Sequence, residues 1–274
     1  MYLFFDIGGT KTRIAFSETG KDFEAPLVFP TPKNFAHFAA AWKWELRKLG
    51  EEKRITQAIG GIPGILDAKK ETALILPQLP DWNGKPVKQE LEKILNASVF
   101  LENDADLVGL GEAVFGAGKG KKIVMYLTIS TGVGGTRIVN GFFDHQTFGF
   151  EPGHQLMISQ GREVTSLENL ISGEGLKKRF HEYAEDIYEA KIWDEVCWYL
   201  ALGIHNSLLL WSPDIVIVGG SVAINKIDLD RVTFYLRAFP TIIKNFPSVV
   251  KAELEDYGGL WGSIAYLQHA KKIL

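Results

Sequence analysis

Two apolar runs open the chain, at residues 3–5 and 14–16, with Gly8, Gly9, Thr10, Lys11 and Thr12 between them. That pattern predicts a strand–turn–strand unit, with Asp6 where the first strand meets the turn. It recurs at residues 122–139, KIVMYLTISTGVGGTRIV, where GGTRI from Gly134 to Ile138 echoes GGTKTRI from Gly8 to Ile14. Two related lobes, each opening with a hairpin, would account for the echo; so would a chance match of short stretches.

Between the hairpins, Phe35, Phe38, Ala39, Trp42, Leu46 and Leu49 recur at helical spacing and predict an amphipathic helix over residues 35–49. Residues 58–65 predict a strand running into a turn at residues 60–64. Residues 87–95 predict a helix, 98–101 a strand and 104–115 a helix. In the second half, residues 192–211 predict a long, mostly apolar helix, followed by a strand at 215–218 and by Gly219 and Gly220. Residues 258–270 predict a closing helix. Strands alternating with helices predict an α/β fold.

Composition narrows the function. The chain has 274 residues, 46% hydrophobic and 23% charged, enough for one large domain or two smaller ones. A formal net charge of -3 gives no bias toward polyanions and argues against nucleic acid as the main partner. The single cysteine, Cys197, excludes an internal disulfide and a multi-cysteine zinc site, and fits a reducing compartment. No secretory pattern opens the chain and no apolar run spans a bilayer, so the expectation is a soluble cytoplasmic protein without a membrane partner.

The Gly/Thr turns offer backbone N–H groups with little side chain in the way, a nest suited to phosphate oxygens. A strand-end carboxylate such as Asp6 suits Mg²⁺ held through water. The alternative is a tight hairpin whose glycines only supply positive φ. GxxxxGK[ST] is absent, and no GxGxxG turn follows a strand, which excludes a Walker A loop and a Rossmann fingerprint. Asp104 follows a strand and opens a helix, so it reads either as an N-cap or as a proton acceptor that the helix dipole keeps ionised.

At this point a resemblance becomes specific. DIGGTKTRIA, GGIPGILD, PDWNGKPV, ENDADLVGLGEAVFGAGKG, LTISTGVGG, EPGH, SLENLISGEG, PDIVIVGG and GGLWGSIAYL occur in one order across nearly the whole chain. The chain resembles the ROK family (repressor, open reading frame, kinase) of sugar kinases within the actin-like, sugar-kinase and heat-shock ATPase fold. The resemblance implies an α/β protein of two lobes, each a mixed five-stranded sheet flanked by helices, with ATP in the cleft between them. The lobes would cover residues 1–112 and 113–257, with a helix at about 258–274 packing back on the first.

It further implies Asp104 as the base, with Asn103, Glu151, His154, Glu168 and Gly61 on the sugar side. Asp6 would help organise Mg²⁺ through water. Gly8, Gly9, Thr10, Lys11, Thr131, Gly132 and Gly134 would hold phosphates, and Gly219 and Gly220 would lie by the adenosine. The implied activity is an ATP- and Mg²⁺-dependent hexokinase acting on the 6-hydroxyl of glucose or a close relative, as a homodimer. A polyphosphate-dependent glucokinase is an alternative, with Lys119, Lys121 and Lys122 as a possible polyanion cluster. A non-catalytic sugar-sensing relative is another, although the first hairpin begins the chain where repressor members carry a helix-turn-helix. Many family members bind zinc through three cysteines and a histidine. Here residues 158–168, ISQGREVTSLE, contain no cysteine, so no zinc is expected and the loop should be held by packing. Thr136 replaces a common glycine, and two consecutive glycines replace three after residues 215–218.

Overall fold

The computed structural model describes residues 1–48, 54–144, 149–159 and 161–273. The chain divides into two compact units, Met1–Gly111 with Asp256–Leu274, and Glu112–Glu255. The first contains β1 (Tyr2–Ile7), β2 (Lys11–Ser17), β3 (Leu27–Pro30), α1 (Phe38–Arg47), β4 (Gln57–Ile62), β5 (Ile65–Leu66), β6 (Ala73–Ile75), α2 (Val87–Leu95) and β7 (Ser98–Asn103). Helix α3 (Asp104–Val114) follows, and the unit boundary falls inside it. The second unit continues with β8 (Ile123–Ile129), β9 (Val133–Val139), β10 (Phe142–Phe143), β11 (Leu156–Ile158), β12 (Val164–Ser166), α4 (Leu167–Ile171) and α5 (Gly173–Phe180). It closes with α6 (Ala190–Trp211), β13 (Ile215–Gly219), α7 (Ser221–Lys226), α8 (Leu229–Ala238) and β14 (Ser248–Lys251). Helix α9 (Gly258–Ile273) returns to the first unit.

Each unit is built on a mixed sheet of the same plan, ordered β3-β2-β1-β4-β7 in the first and β10-β9-β8-β13-β14 in the second. In both, an antiparallel hairpin leads into parallel strands reached by crossovers. The repeated GGT stretches therefore sit at equivalent hairpins. Hydrophobic cores pack against each sheet: Leu3, Phe5, Ile7, Trp42 and Trp82 in the first unit, Leu127, Ile129, Tyr199, Ile204 and Val218 in the second.

The turns are shorter than the sequence suggests. Thr12 pairs with Ile7 and Lys11 with Pro30, so both belong to β2, and only residues 8–10 form the bend. Thr12 is buried, where its hydroxyl meets that of Thr31 at 2.9 Å. In the second hairpin Gly134 pairs with Thr128 and Gly135 with Leu127, leaving residues 130–132 as the bend. The 35–49 helix is also divided. Phe35–His37 is a 3₁₀ turn capped by Asn34 and α1 starts at Phe38, while Leu49 lies outside the described residues.

Gly60 and Gly61 lie in β4 rather than in a turn. Steric room explains this: a Cβ on Gly60 would sit 2.2 Å from the Phe5 carbonyl oxygen and 2.3 Å from its ring, and one on Gly61 would sit 3.0 Å from Asp104 Cα. The bend follows at Gly64, whose φ is +85°. Overpacking of this kind costs about 1–3 kcal/mol. Gly60→Ala should therefore lower the midpoint of urea unfolding by an amount equivalent to about 2 kcal/mol, and an unchanged midpoint would contradict the packing described.

Candidate active site

The parallel strands of the first sheet bring three chain segments to one end. Asp6 is next to last in β1, level with Gly61 in β4 and opposite Arg13 in β2. Ile62 of β4 is level with Asn103, which closes β7, and Asp104 begins α3. Carboxyl ends of parallel strands are where α/β sheets present ligand-binding groups.

Asp104 does not cap α3. Asn103 does: its Oδ1 accepts the Asp106 N–H at 3.1 Å, while its Nδ2 donates to the Gly64 carbonyl at 2.9 Å. The Asp104 carboxylate accepts the Ala105 N–H at 2.8 Å. Burial pushes the Asp104 carboxyl up to about 7, and the charge of Asp6 adds to the rise against the pull of the Ala105 N–H. The expectation that the helix dipole holds this group firmly ionised is thus corrected, because loss of water outweighs it. Asp6 is itself pushed up to about 6 by burial, against the lowering effect of the Arg13 guanidinium. Arg13 lies 3.6 Å from Asp6 and 2.8 Å from Asp256, so it bridges two carboxylates.

The first turn is clasped from one side. Thr31 Oγ1 donates to the Gly8 carbonyl at 2.8 Å, and the Thr31 N–H donates to Thr10 O at 2.9 Å. Lys33 Nζ donates to the Gly9 carbonyl at 2.6 Å and to Gln78 O at 3.2 Å. The Gly8 N–H is spent on Lys11 O at 2.9 Å, so it is no open phosphate donor here. A Cβ on Gly9 would overlap Gln78 at 1.8 Å, which gives this glycine an internal steric reason. Thr10 and Lys11 are exposed. Arg13 could have been found by counting strand partners across the GGT bend; nothing in the pattern marks Thr31 or Lys33.

In the second unit Glu151, His154 and Glu168 come together. Partial burial raises the Glu151 carboxyl, His154 lowers it and Glu168 raises it. Glu151 precedes and His154 closes a 3₁₀ turn, Pro152–His154, and both residues are exposed. Glu168, in α4, accepts the Val133 N–H at 2.8 Å, and a Cβ on Gly132 would come within 2.6 Å of that carboxylate. The Ser130 and Thr131 carbonyls accept the Gly173 and Glu174 N–H groups at 2.8 and 3.1 Å, which ties the second bend to the start of α5. Gly219 ends β13, packed on the Tyr126 hydroxyl, and Gly220 has φ +87°. Among the described residues, no group of three or more His, Cys, Asp or Glu is placed to hold a metal ion, and Cys197 is buried in α6. No helix among them is long and apolar enough to cross a membrane.

Residues 2–270 match the ROK family. The chain is a ROK family protein. The glucokinase of Thermotoga maritima is 27% identical over 72% of this chain and 75% of its own length. The N-acetyl-D-glucosamine kinase of Escherichia fergusonii is 27% identical over 96% of this chain and 98% of its own. Among solved structures, the ROK hexokinase of Thermus thermophilus is 26% identical with a TM-score of 0.74, covering 98% of this chain and 99% of that one. The ROK glucokinase of Streptomyces griseus, solved with glucose and AMPPNP, has a TM-score of 0.77 at 24% identity, covering 97% and 98%. The fold of this ROK protein is the two-lobed actin-like ATPase fold.

A carboxyl held near 7 in the folded protein, against 3.8 as its ordinary value, binds its proton more tightly folded than unfolded. Its contribution to stability is full below pH 4 and is lost as pH rises to about 7. Asp104→Asn, which keeps an acceptor for Ala105, should thus stabilise by an increment that grows between pH 4 and 7 and is flat above. Thermal unfolding of both proteins across that range checks it, and an increment independent of pH would count against the buried carboxyl.

Proposed function

We propose that this ROK protein is an ATP- and Mg²⁺-dependent sugar kinase that phosphorylates the 6-hydroxyl of a hexose, glucose or a close relative. The observation that carries the reading is Asp104: a carboxyl at the end of β7, beside Asp6, with its proton affinity tuned to about 7. A group balanced there accepts a hydroxyl proton efficiently near neutral pH. Relatives that are glucokinases and N-acetyl-D-glucosamine kinases support a hexose acceptor.

In this reading Asp104 takes the proton from the attacking hydroxyl. Asn103, whose amide already spans Gly64 and α3, offers its remaining N–H to the sugar. Gly61 leaves room beside Asp104, and Glu151, His154 and Glu168 hold further hydroxyls. Thr10, Lys11 and the turn residue Gly9 contact phosphates, as do Thr131, Gly132 and Gly134, while Gly8, its N–H already bonded to Lys11 O, shapes the bend; Gly219 and Gly220 lie by the adenosine.

The donor set at Asp6 fits Mg²⁺: a strand-end carboxylate with bare Gly259 backbone behind it, where a Cβ would come 3.3 Å from the carboxyl carbon. Mg²⁺ takes few carboxylates and keeps several waters. When bound it neutralises charge on the phosphate chain. The same reading makes the protein a cytoplasmic homodimer, with no zinc requirement.

A coupled ADP-release assay over glucose, mannose and N-acetyl-D-glucosamine, repeated with polyphosphate as donor, tests the proposal. Turnover with ATP is expected for at least one hexose, and Asp104→Asn should lower kcat by roughly 10²–10⁴-fold while sugar binding by calorimetry persists. Absence of turnover on every hexose, activity with polyphosphate alone, or a folded Asn variant with normal kcat would overturn it.

A further inference from the structure

The turn that carries Glu151 and His154 is fastened by one further side chain, that of Gln155. Gln155 follows His154 directly, and its amide Nε2 donates to Pro152 O at 2.9 Å and to Ser207 Oγ at 3.2 Å. Ser207 lies in α6, is 3% exposed, and spends its own hydroxyl proton on the Gly203 carbonyl at 3.0 Å. Its oxygen can then only accept from Gln155, which settles the orientation of the amide. The Gln155 main-chain carbonyl accepts the Leu167 N–H at 2.9 Å, one residue before Glu168. Register continues the link, with Leu156 paired to Ser166, whose hydroxyl accepts the Asn169 N–H at the start of α4. One residue thereby joins the Glu151–His154 turn, the buried face of α6 and the Glu168 helix.

Gln155 is a poor choice for stability alone. Its Oε1 is buried and has no hydrogen-bond partner among the described residues. A buried acceptor left without a donor costs about as much as a good hydrogen bond contributes. An apolar side chain of similar volume would avoid that cost, so the amide is better explained by the geometry it imposes.

We propose that Gln155 is a positioning residue for sugar recognition, holding the carboxylate and imidazole of Glu151 and His154 in register with Glu168 through Pro152, Ser207 and Leu167. The proposal rests on the sugar-side assignment made above.

The test compares Gln155→Met, Ser207→Ala, the double variant and Glu151→Gln by steady-state kinetics and thermal unfolding. Gln155→Met should raise the hexose KM about tenfold, as expected when binding groups are loosened by a fraction of an ångström. Its kcat and ATP KM should stay within about twofold, and its Tm within about 3 °C. Ser207→Ala should raise hexose KM less, and the double variant no more than Gln155→Met alone, because both act through one linkage. An unchanged hexose KM in Gln155→Met overturns the proposal. So does a large fall in Tm with kcat and both KM values moving together, which would make the residue a structural one, and so does full additivity in the double variant. Glu151→Gln reads the underlying assignment separately. If it leaves hexose KM unchanged, the sugar-side reading itself fails and takes Gln155 with it; if it raises KM while Gln155→Met does not, only the positioning role falls.

Discussion

The first unit depends on how closely β4 can lie against its neighbours. Gly60 lets the strand pass over the Phe5 carbonyl and ring, and Gly61 lets it pass the start of α3. With β4 seated there, β1 and β7 are held one strand to either side, and their carboxyl ends stand level. Asp6 and Asp104 are thus brought near enough for one charge to act on the other. The convergence of two acids follows from two missing side chains, not from any attraction between the acids.

Burial, with the charge of Asp6 added to it, decides the protonation of Asp104. A helix N-terminus favours a carboxylate by about 0.3–1 kcal/mol, up to about 2 in a buried setting. A rise from 3.8 to about 7 corresponds to a penalty on the order of 4 kcal/mol on the charged form. Desolvation and the neighbouring charge therefore win over the dipole and the Ala105 N–H together. Division of labour makes this tolerable: Asn103, a neutral side chain, takes over capping, so α3 does not need Asp104 ionised in order to start. The helix is secured by one residue and the acid beside it is left free to titrate.

Much of the architecture was legible because its signals are local. Helix α2 coincides with the predicted 87–95 segment, and α6 begins two residues before the predicted 192. The two hairpins were visible as an internal echo. Errors fell where a tertiary contact overrides a local signal. Glycine-rich residues 60–61 and 134–135 read as turns, yet they are strand residues chosen for close approach or ladder pairing. Residue 35 reads as helical by spacing, but the Asn34 cap and the packing of Phe35 on Trp82 turn that segment into a separate 3₁₀ bend. Within the candidate site, residue types in sequence motifs were readable, whereas the partners that fix them were not. Lys33 and Gln155 act across the fold, and no periodicity encodes a contact between residues 155 and 207.

The two sheets share one strand order but differ in the groups at their strand ends. Strand β8 occupies in the second sheet the place of β1 in the first, and Thr128 stands next to last in β8 as Asp6 does in β1. A neutral hydroxyl thus replaces a carboxylate at the equivalent strand end. The neighbouring parallel strand ends in Gly219, and the outer one in Lys251, where the first sheet has β4 and then Asn103 with Asp104. Among the described residues, Asp6 and Asp104 stand at the ends of β1 and β7, whereas the equivalent ends of β8, β13 and β14 carry no acid. Under the proposed phosphoryl transfer this asymmetry is required: carboxylates suit a proton and a divalent cation, but the same charges beside a triphosphate would repel it.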